Sequence, residues 1–148
     1  MTQFLSTPPL DPRLTQGVLP RRFLALLLDC VIISVLGSVA VLLIGVFGVL
    51  TLGVGWLAFH VIPLIPLVYY TLLIGGTGAT PGQRLAGLAV RQDDDWSAQP
   101  SLAQALVWAV LLWLSFVLVG IPLLLALLNP RGRATHDILS GLVIIRAK

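Results

Sequence analysis

The chain has 148 residues, of which 57% are hydrophobic and 10% are charged. Soluble domains carry about 25% charged residues, so this composition, with a mean hydropathy of +1.00, excludes an ordinary soluble protein. The net charge of +3 comes from basic residues that flank hydrophobic stretches, which favours contact with lipid headgroups over nucleic acid. The sequence therefore predicts a membrane protein whose partner is the lipid bilayer, with no nucleic-acid partner.

Residues 1–18 are mostly polar and contain several prolines. They lack the apolar run and the small-residue cleavage site of a signal peptide. We expect them to form a disordered cytoplasmic tail, followed by one transmembrane domain over residues 19–148. The length leaves no room for a second domain.

The first predicted transmembrane span runs from about Phe23 to Phe47. Arg21 and Arg22 precede it, and no basic residue follows until Arg84, so the positive-inside rule places the N-terminus in the cytoplasm. Small residues form a stripe along this span, and such stripes let helices approach closely in lipid. The stripe consists of Cys30, Ser34, Gly37, Ser38 and Gly45.

Asp29 lies inside the first span, seven residues after Arg22, so the two side chains return to nearly the same helical face. It lies about 10 Å deeper than Arg22, and a carboxylate inside a membrane costs at least ~2.5–3.5 kcal/mol. Three interpretations are open. Asp29 pairs with a basic residue as a structural anchor, it is protonated and hydrogen-bonded to its neighbours, or it is an ion or proton site.

The second predicted span runs from about Leu52 to Ile74 and contains His60, Pro63 and Pro66 near mid-membrane. Prolines kink a helix and leave backbone carbonyls without partners. His60 has a titration range suited to proton transfer. Alternatively, its ring is satisfied by a carbonyl that Pro63 or Pro66 leaves free. Two tyrosines near the inner interface fit an aromatic belt: Tyr69 and Tyr70.

Residues 75–101 are predicted to form a glycine-rich loop that contains the motif Thr80-Pro81-Gly82. Proline followed by glycine suits a type II turn, and binding of a phosphate or lipid headgroup with help from Arg84 is the alternative. The three aspartates at 93–95 suit a solvated loop tip, because the alternating ligand pattern of a metal site is missing. We expect no metal and no cofactor.

The third hydrophobic stretch, Leu102 to Leu128, is long enough to cross once with tilt. Gly120-Ile121-Pro122 interrupts it, however, and a return at this break would place every basic segment in the cytoplasm, together with the C-terminus. The positive-inside rule favours the return. The predicted fold class is therefore an all-α membrane protein with two full transmembrane helices, a third broken, re-entrant hydrophobic segment and a small cytoplasmic cap.

The cap is predicted to include a short β-ribbon. Residues 85–91 read Leu-Ala-Gly-Leu-Ala-Val-Arg, and residues 139–146 read Leu-Ser-Gly-Leu-Val-Ile-Ile-Arg. Both segments are rich in β-prone residues and end in arginine. They can pair as strands if they lie on the same side of the membrane.

Three elements, taken in order over about residues 18–146, resemble the RDD family of small membrane proteins. The first is Arg22 with Asp29, the second is residues 78–90, and the third is residues 131–141, with Asp137 as the second aspartate. Gln83 stands where the family usually has lysine. The resemblance implies the fold more than the function, because cation/proton exchange has been proposed for some members and assembly or quality-control roles for others.

His136 and Asp137 are neighbours, but a catalytic dyad needs a nucleophile beside it, and the sequence offers none. We therefore expect no enzyme. Instead, we expect a polar network at the cytoplasmic face, in which Asp137 caps a short helix or pairs with Arg22, Arg84 or Arg133. The predicted network consists of Arg84, Arg133, His136 and Asp137.

Two functional hypotheses follow for a multi-pass protein of the cell membrane, which we expect to be a bacterial inner membrane. The first is transport of a small cation or proton, with Asp29 as carrier beside Arg22 and with His60 assisting. The second is a structural or assembly protein that docks other membrane proteins. A bundle of this size has little interior for a solute pathway, so transport would favour a homo-oligomer.

Overall fold

The computed structural model describes residues 17–95, 97–117 and 135–147. Two of the described helical segments are long and apolar enough to cross a membrane: Val18–Leu50 and Val54–Thr77. They correspond to the two predicted spans. A shorter apolar helix, Leu102–Val117, begins the third hydrophobic stretch. Residues 1–16 of the predicted tail, the predicted break at 120–122 and Arg133 lie outside the described residues.

Helix α1, Val18–Leu50, has 33 residues and is longer at both ends than the predicted span. At about 1.5 Å per residue it measures roughly 50 Å, which exceeds the ~30 Å hydrocarbon core of a bilayer. Nearly all its side chains are apolar on every face, as in a helix that contacts lipid. Its buried residues are Val18, Ala25, Asp29 and Gly48.

The second span combines a 3-10 helix, Val54–Leu64, with helix α2, Ile65–Thr77. A 3-10 helix of 11 residues is unusual, because such runs seldom exceed three or four residues. Pro63 lies near its end, and Pro66 occupies the first turn of α2, where a helix does not need the missing N–H. The predicted proline kink is therefore a change from 3-10 to α geometry.

Four short elements form a unit that we call the α/β module. In chain order, with α4 (Leu102–Val117) between them, they are α3 (Pro81–Leu85), β1 (Leu88–Gln92), α5 (Thr135–Leu139) and β2 (Leu142–Arg146). The two strands pair in antiparallel fashion, with Leu88 opposite Arg146 and Gln92 opposite Leu142. The predicted pairing of the two similar segments is confirmed. Helix α3 was not foreseen, whereas a short helix at Asp137 was one of the open alternatives.

The two halves of the α/β module are related by an approximate two-fold axis. Each half is a short helix, a two-residue turn and a strand, and the central strand residues Val90 and Ile144 face each other. The turn glycines, Gly87 and Gly141, have φ of 68° and 66°, which favours glycine. Equivalent hydrogen bonds join Asp93 N to Gly141 O at 3.0 Å and Ala147 N to Gly87 O at 2.9 Å.

The buried core lies where α2, α4 and the α/β module meet. Helix α2 packs along α4, and buried side chains of both strands belong to the same hydrophobic cluster. The core side chains include Tyr70, Ile74, Leu88, Val90, Ala105, Trp108, Leu112, Leu142 and Ile144. Both buried aspartates contact elements of this region: Asp29 accepts from Thr80 at the start of α3, and Asp137 accepts from Trp108 of α4.

Candidate functional site

The Asp29 carboxylate is buried and accepts three hydrogen bonds from neutral donors. Oδ1 accepts from the Tyr69 hydroxyl at 2.8 Å and from the Gly82 backbone N–H at 2.9 Å, and Oδ2 accepts from the Thr80 hydroxyl at 2.6 Å. Within residues 17–95, 97–117 and 135–147, no cation pairs with Asp29. The interpretation in which Asp29 pairs with a basic residue is therefore not seen among the described residues, although Arg22 lies on nearly the same face of the helix.

Thr80, Pro81 and Gly82 begin helix α3 and do not form the predicted type II turn. Thr80 is the N-cap residue, Pro81 follows in the first turn, and the Gln83 N–H donates to Thr80 Oγ1 at 3.1 Å. Gln83 Oε1 in turn accepts from the Thr80 N–H at 2.9 Å, which completes a capping box. Gln83 stands where the family pattern usually has lysine. Its hydrogen bonds stabilise the first turn of α3, from which Thr80 and Gly82 donate to Asp29.

Gly82 allows α3 to approach α1 closely. A Cβ at this position would overlap the Ala25 carbonyl oxygen and would lie 2.7 Å from Asp29 Oδ1. Because the obstacle includes backbone, a side chain there would push the two helices apart. Gly82 is therefore needed for the close approach of α3 to α1 and not for a positive φ in a turn.

Asp137 lies on α5 and pairs with Arg22 of α1. The distance from Arg22 Nη2 to Asp137 Oδ2 is 2.6 Å, and the Asp137 side chain is fully buried. Trp108 Nε1 of α4 donates to Asp137 Oδ1 at 2.8 Å. Among the pairings open from the sequence, the structure shows the one with Arg22, and it joins α1, α4 and α5.

An aromatic row connects the two aspartates. Tyr69, which binds Asp29, makes an edge-on contact with Tyr70 at a centroid distance of 5.3 Å. Tyr70 lies 5.6 Å from Trp108, and Trp108 lies edge-on to His136 at 5.0 Å. Tyr70 is buried in this row and does not take part in an exposed aromatic belt.

His136 is buried beside Asp137, with 3.5 Å between His136 Nε2 and Asp137 Oδ1. Burial lowers the pKa of His136 below its usual 6.5, the Asp137 charge opposes this effect, and the Arg22 charge adds to it. The imidazole is therefore neutral at pH 7. Its Nδ1 atom has no hydrogen-bond partner within the described part of the chain.

Arg84 and His60 lie away from these contacts. Arg84 is exposed on α3 and makes no ion pair with Asp137 among the described residues. His60 is exposed, and its Nδ1 lies 2.9 Å from the carbonyl oxygen of Leu57, not from one that a proline leaves free. No hydrogen bond joins His60 to Asp29 in the described structure.

The aspartates at 93–95 form a bend after β1, in which Asp93 is half-buried and Asp94 and Asp95 are exposed. Asp95 Oδ1 accepts from the Ser97 N–H at 3.0 Å and from the Ser97 hydroxyl at 2.6 Å, and these hydrogen bonds lower the pKa of Asp95. The described residues contain no group of three acidic, His or Cys side chains that could hold a metal ion.

Sequence reasoning missed Tyr69, Gln83 and Trp108 as site residues. The spacing Thr80-x-x-Gln83 is a capping-box signature and could have revealed the start of α3. No comparable local signal marks Tyr69 or Trp108, because their partners lie far away in the chain.

Comparison with known proteins agrees with the resemblance seen in the sequence. The model of the RDD family matches residues 17–141, which includes both aspartates and the whole of α3 and β1. No match was found among the curated proteins or among the solved structures.

Proposed function

Since the chain belongs to the RDD family of membrane proteins, we propose that it is a non-enzymatic, multi-pass assembly subunit that packs against other transmembrane helices. One observation carries this proposal: both buried aspartates bind α1 to the α/β module, while only three other α1 residues, Val18, Ala25 and Gly48, are buried. The two acids act as internal fasteners in this proposal. The exposed face of α1 is the surface offered to a partner.

The exposed face of α1 is suited to close helix packing. A Cβ added at Gly37 or Gly45 would meet nothing within 4 Å, so neither glycine is required by contacts within the described chain. Glycine and serine let two helix backbones approach in lipid, where van der Waals contact drives association. We propose a second copy of the chain or a helix of another membrane protein as the occupant.

We also propose that the α/β module lies at the cytoplasmic face. β1 and β2 pair directly, so the chain between them must begin and end on the same side of the membrane. An even number of crossings supports a return within the third hydrophobic stretch over a single crossing. The arginines before α1 support a cytoplasmic N-terminus, and the strand pairing then supports a cytoplasmic C-terminus.

The depth of Asp29 along α1 supports this placement of the α/β module. Phe23 to Leu50 would span about 42 Å as a helix, which equals the ~40–45 Å thickness of a bilayer with its headgroup regions. Asp29 would then lie about 9 Å inward from Phe23, near the inner edge of the hydrocarbon core. The α/β module reaches this level through α3.

Substitution on α1 tests the assembly proposal. We expect Gly37→Ile to reduce oligomerisation or partner recovery severalfold, as measured by crosslinking in native membranes followed by size-exclusion chromatography. Gly76→Ile is the matched control, because Gly76 also has open space around it but lies on α2. Equal assembly of both variants and the wild type would overturn the proposal.

Ion or proton coupling at Asp29 is the second candidate function. It is favoured by the neutral donor set, which leaves the negative charge of Asp29 without a paired cation in the described residues. Asp29→Asn should then abolish cation or proton flux in proteoliposomes, while Tyr69→Phe should only reduce it. Full flux in the Asp29→Asn variant would eliminate this candidate and leave the assembly proposal untouched.

The proposal that the chain is not an enzyme is supported by the surroundings of His136. The Ser140 hydroxyl donates to the backbone carbonyls of His136, at 2.6 Å, and Asp137, at 3.2 Å. It makes no hydrogen bond to the His136 ring in the described structure. A nucleophile activated by an imidazole would need that contact.

A further inference from the structure

Three arginines from distant parts of the chain meet at one turn of the α/β module, and we call Arg21, Arg84 and Arg146 the arginine corner. Arg21 Nη1 donates to Ala86 O at 3.1 Å, and the Gly87 N–H donates to Arg84 O at 3.0 Å. Arg146 is the strand partner of Leu88, and the next residue donates to Gly87 O at 2.9 Å. The guanidinium of Arg21 and the backbones of Arg84 and Arg146 therefore lie beside residues 86–88.

No acidic side chain balances the arginine corner within the described residues. Asp137 pairs with Arg22, and Asp29 is enclosed by Thr80, Gly82 and Tyr69. The aspartates at 93–95 follow the opposite end of β1, where Gln92 faces Leu142. Arg84 and Arg146 are exposed, so two of the three guanidinium groups are free to contact an external anion.

Exposed apolar side chains lie beside the arginine corner. Leu85, next to Arg84, is 75% exposed, and Phe23, two residues after Arg21, is 64% exposed. Water disfavours exposure of both side chains, whereas the boundary between headgroups and acyl chains accommodates apolar residues beside basic ones. The surface thus joins positive charge to apolar groups at the start of α1.

We propose that the arginine corner binds the phosphate groups of anionic phospholipids in the cytoplasmic leaflet, with Leu85 seated at the acyl boundary. Guanidinium groups bind phosphate through paired, charge-assisted hydrogen bonds. Attraction to an anionic leaflet contributes the equivalent of about fivefold in affinity per basic residue near the surface. The inference extends the proposed membrane placement of α1 and does not depend on assembly or ion coupling.

The test measures lipid binding to the full-length protein in detergent, with phosphatidylglycerol and phosphatidylcholine as probes and native mass spectrometry as the readout. The wild type should bind phosphatidylglycerol well above phosphatidylcholine. Arg84→Gln should weaken binding of phosphatidylglycerol about fivefold, and Arg84→Gln with Arg146→Gln about 25-fold. Arg84→Lys should restore most of the loss. Equal binding of both lipids by the wild type would overturn the proposal.

A charge-compensated variant distinguishes the effect of a local binding site from the effect of the protein's net charge. Asp94 is exposed at the far end of β1, and Asp94→Asn returns the charge that Arg84→Gln removes. Binding by Arg84→Gln with Asp94→Asn should stay weak, and recovery to the wild-type level would overturn the proposal. Leu85→Ser should also reduce binding of phosphatidylglycerol severalfold. Unchanged binding in that variant would overturn the seating of Leu85 at the acyl boundary.

Discussion

Asp29 and Asp137 are almost equally hidden from solvent, at 2% and 0% exposure, but their carboxyl groups have different kinds of partner. Asp29 accepts hydrogen bonds from two hydroxyl groups and one backbone N–H, and no cation in the described residues pairs with it. Asp137 pairs with Arg22 at 2.6 Å and accepts a hydrogen bond from Trp108. The Asp29 site is held by close packing and neutral hydrogen-bond donors, whereas the Asp137 site is held by an ion pair.

Because their partners differ, the two acids depend on different features of the structure. The Asp29 site depends on the close approach of α3, because Gly82 must bring its N–H to the carboxylate. The Asp137 site depends on opposite charge, because a buried ion pair is costly to break when one partner is removed. Neutralising the acid should therefore lower the free energy of unfolding more at Asp137, and adding a methyl group beside the acid should lower it more at Asp29.

Breaking the ion pair at Arg22 should have the largest effect. Arg22→Ala leaves the buried Asp137 without the guanidinium at 2.6 Å, and removing one member of a buried pair costs about 3–5 kcal/mol. The free energy of unfolding can be measured by titration with denaturing detergent, followed by circular dichroism.

The double variant Arg22→Met with Asp137→Asn controls for lost packing. Replacing both members of a buried pair is often nearly neutral, so it should recover much of the loss seen in Arg22→Ala. If the double variant is as unstable as the sum of the single variants, charge does not hold this site together.

Adding one methyl group at the Asp29 site should have the next largest effect. Gly82→Ala places a Cβ against the Ala25 carbonyl and 2.7 Å from Asp29 Oδ1, so α3 must move away from α1. Overpacking of this kind costs about 1–3 kcal/mol in the free energy of unfolding. Gly76→Ala is the control, because open space surrounds it and alanine favours a helix. An equal effect of the two substitutions would contradict close approach at Gly82.

The sequence located both acids but did not decide their partners, although Arg22 was among the cations open to Asp137. Arg22, Asp29 and Asp137 stand out because charge is rare in so apolar a chain, and the two strand segments stand out through their similarity. Which acid meets which donor is decided by the packing of α2, α4 and the α/β module, over separations such as the 40 residues between Asp29 and Tyr69. Hydropathy carries no information on these long-range contacts, so Arg22 was placed near Asp29 by helical spacing alone.

Neutralising Asp29 should cost less than neutralising Asp137. In Asp29→Asn the amide oxygen can still accept from the Gly82 N–H, but the amide NH₂ would face the Thr80 hydroxyl, which now donates to Oδ2. The loss of one hydrogen bond costs about 1 kcal/mol. Asp137→Asn removes an ion pair and should lower the free energy of unfolding further. Equal losses in the two variants would contradict the distinction between the sites.

The smallest expected effect is a pH dependence at the Asp137 site. Burial lowers the pKa of His136, so the unfolded chain takes up a proton near pH 6.5 while the folded chain resists it. The folded protein should therefore lose stability as the pH falls below 6.5, until the lowered pKa of folded His136 is reached. Thermal unfolding in detergent between pH 5 and pH 8 measures this. His136→Gln should flatten the part of the profile that His136 contributes, while His60 remains in both proteins. If attraction to Asp137 outweighed burial and repulsion from Arg22, acidification would stabilise the wild type relative to His136→Gln, which is the opposite sign.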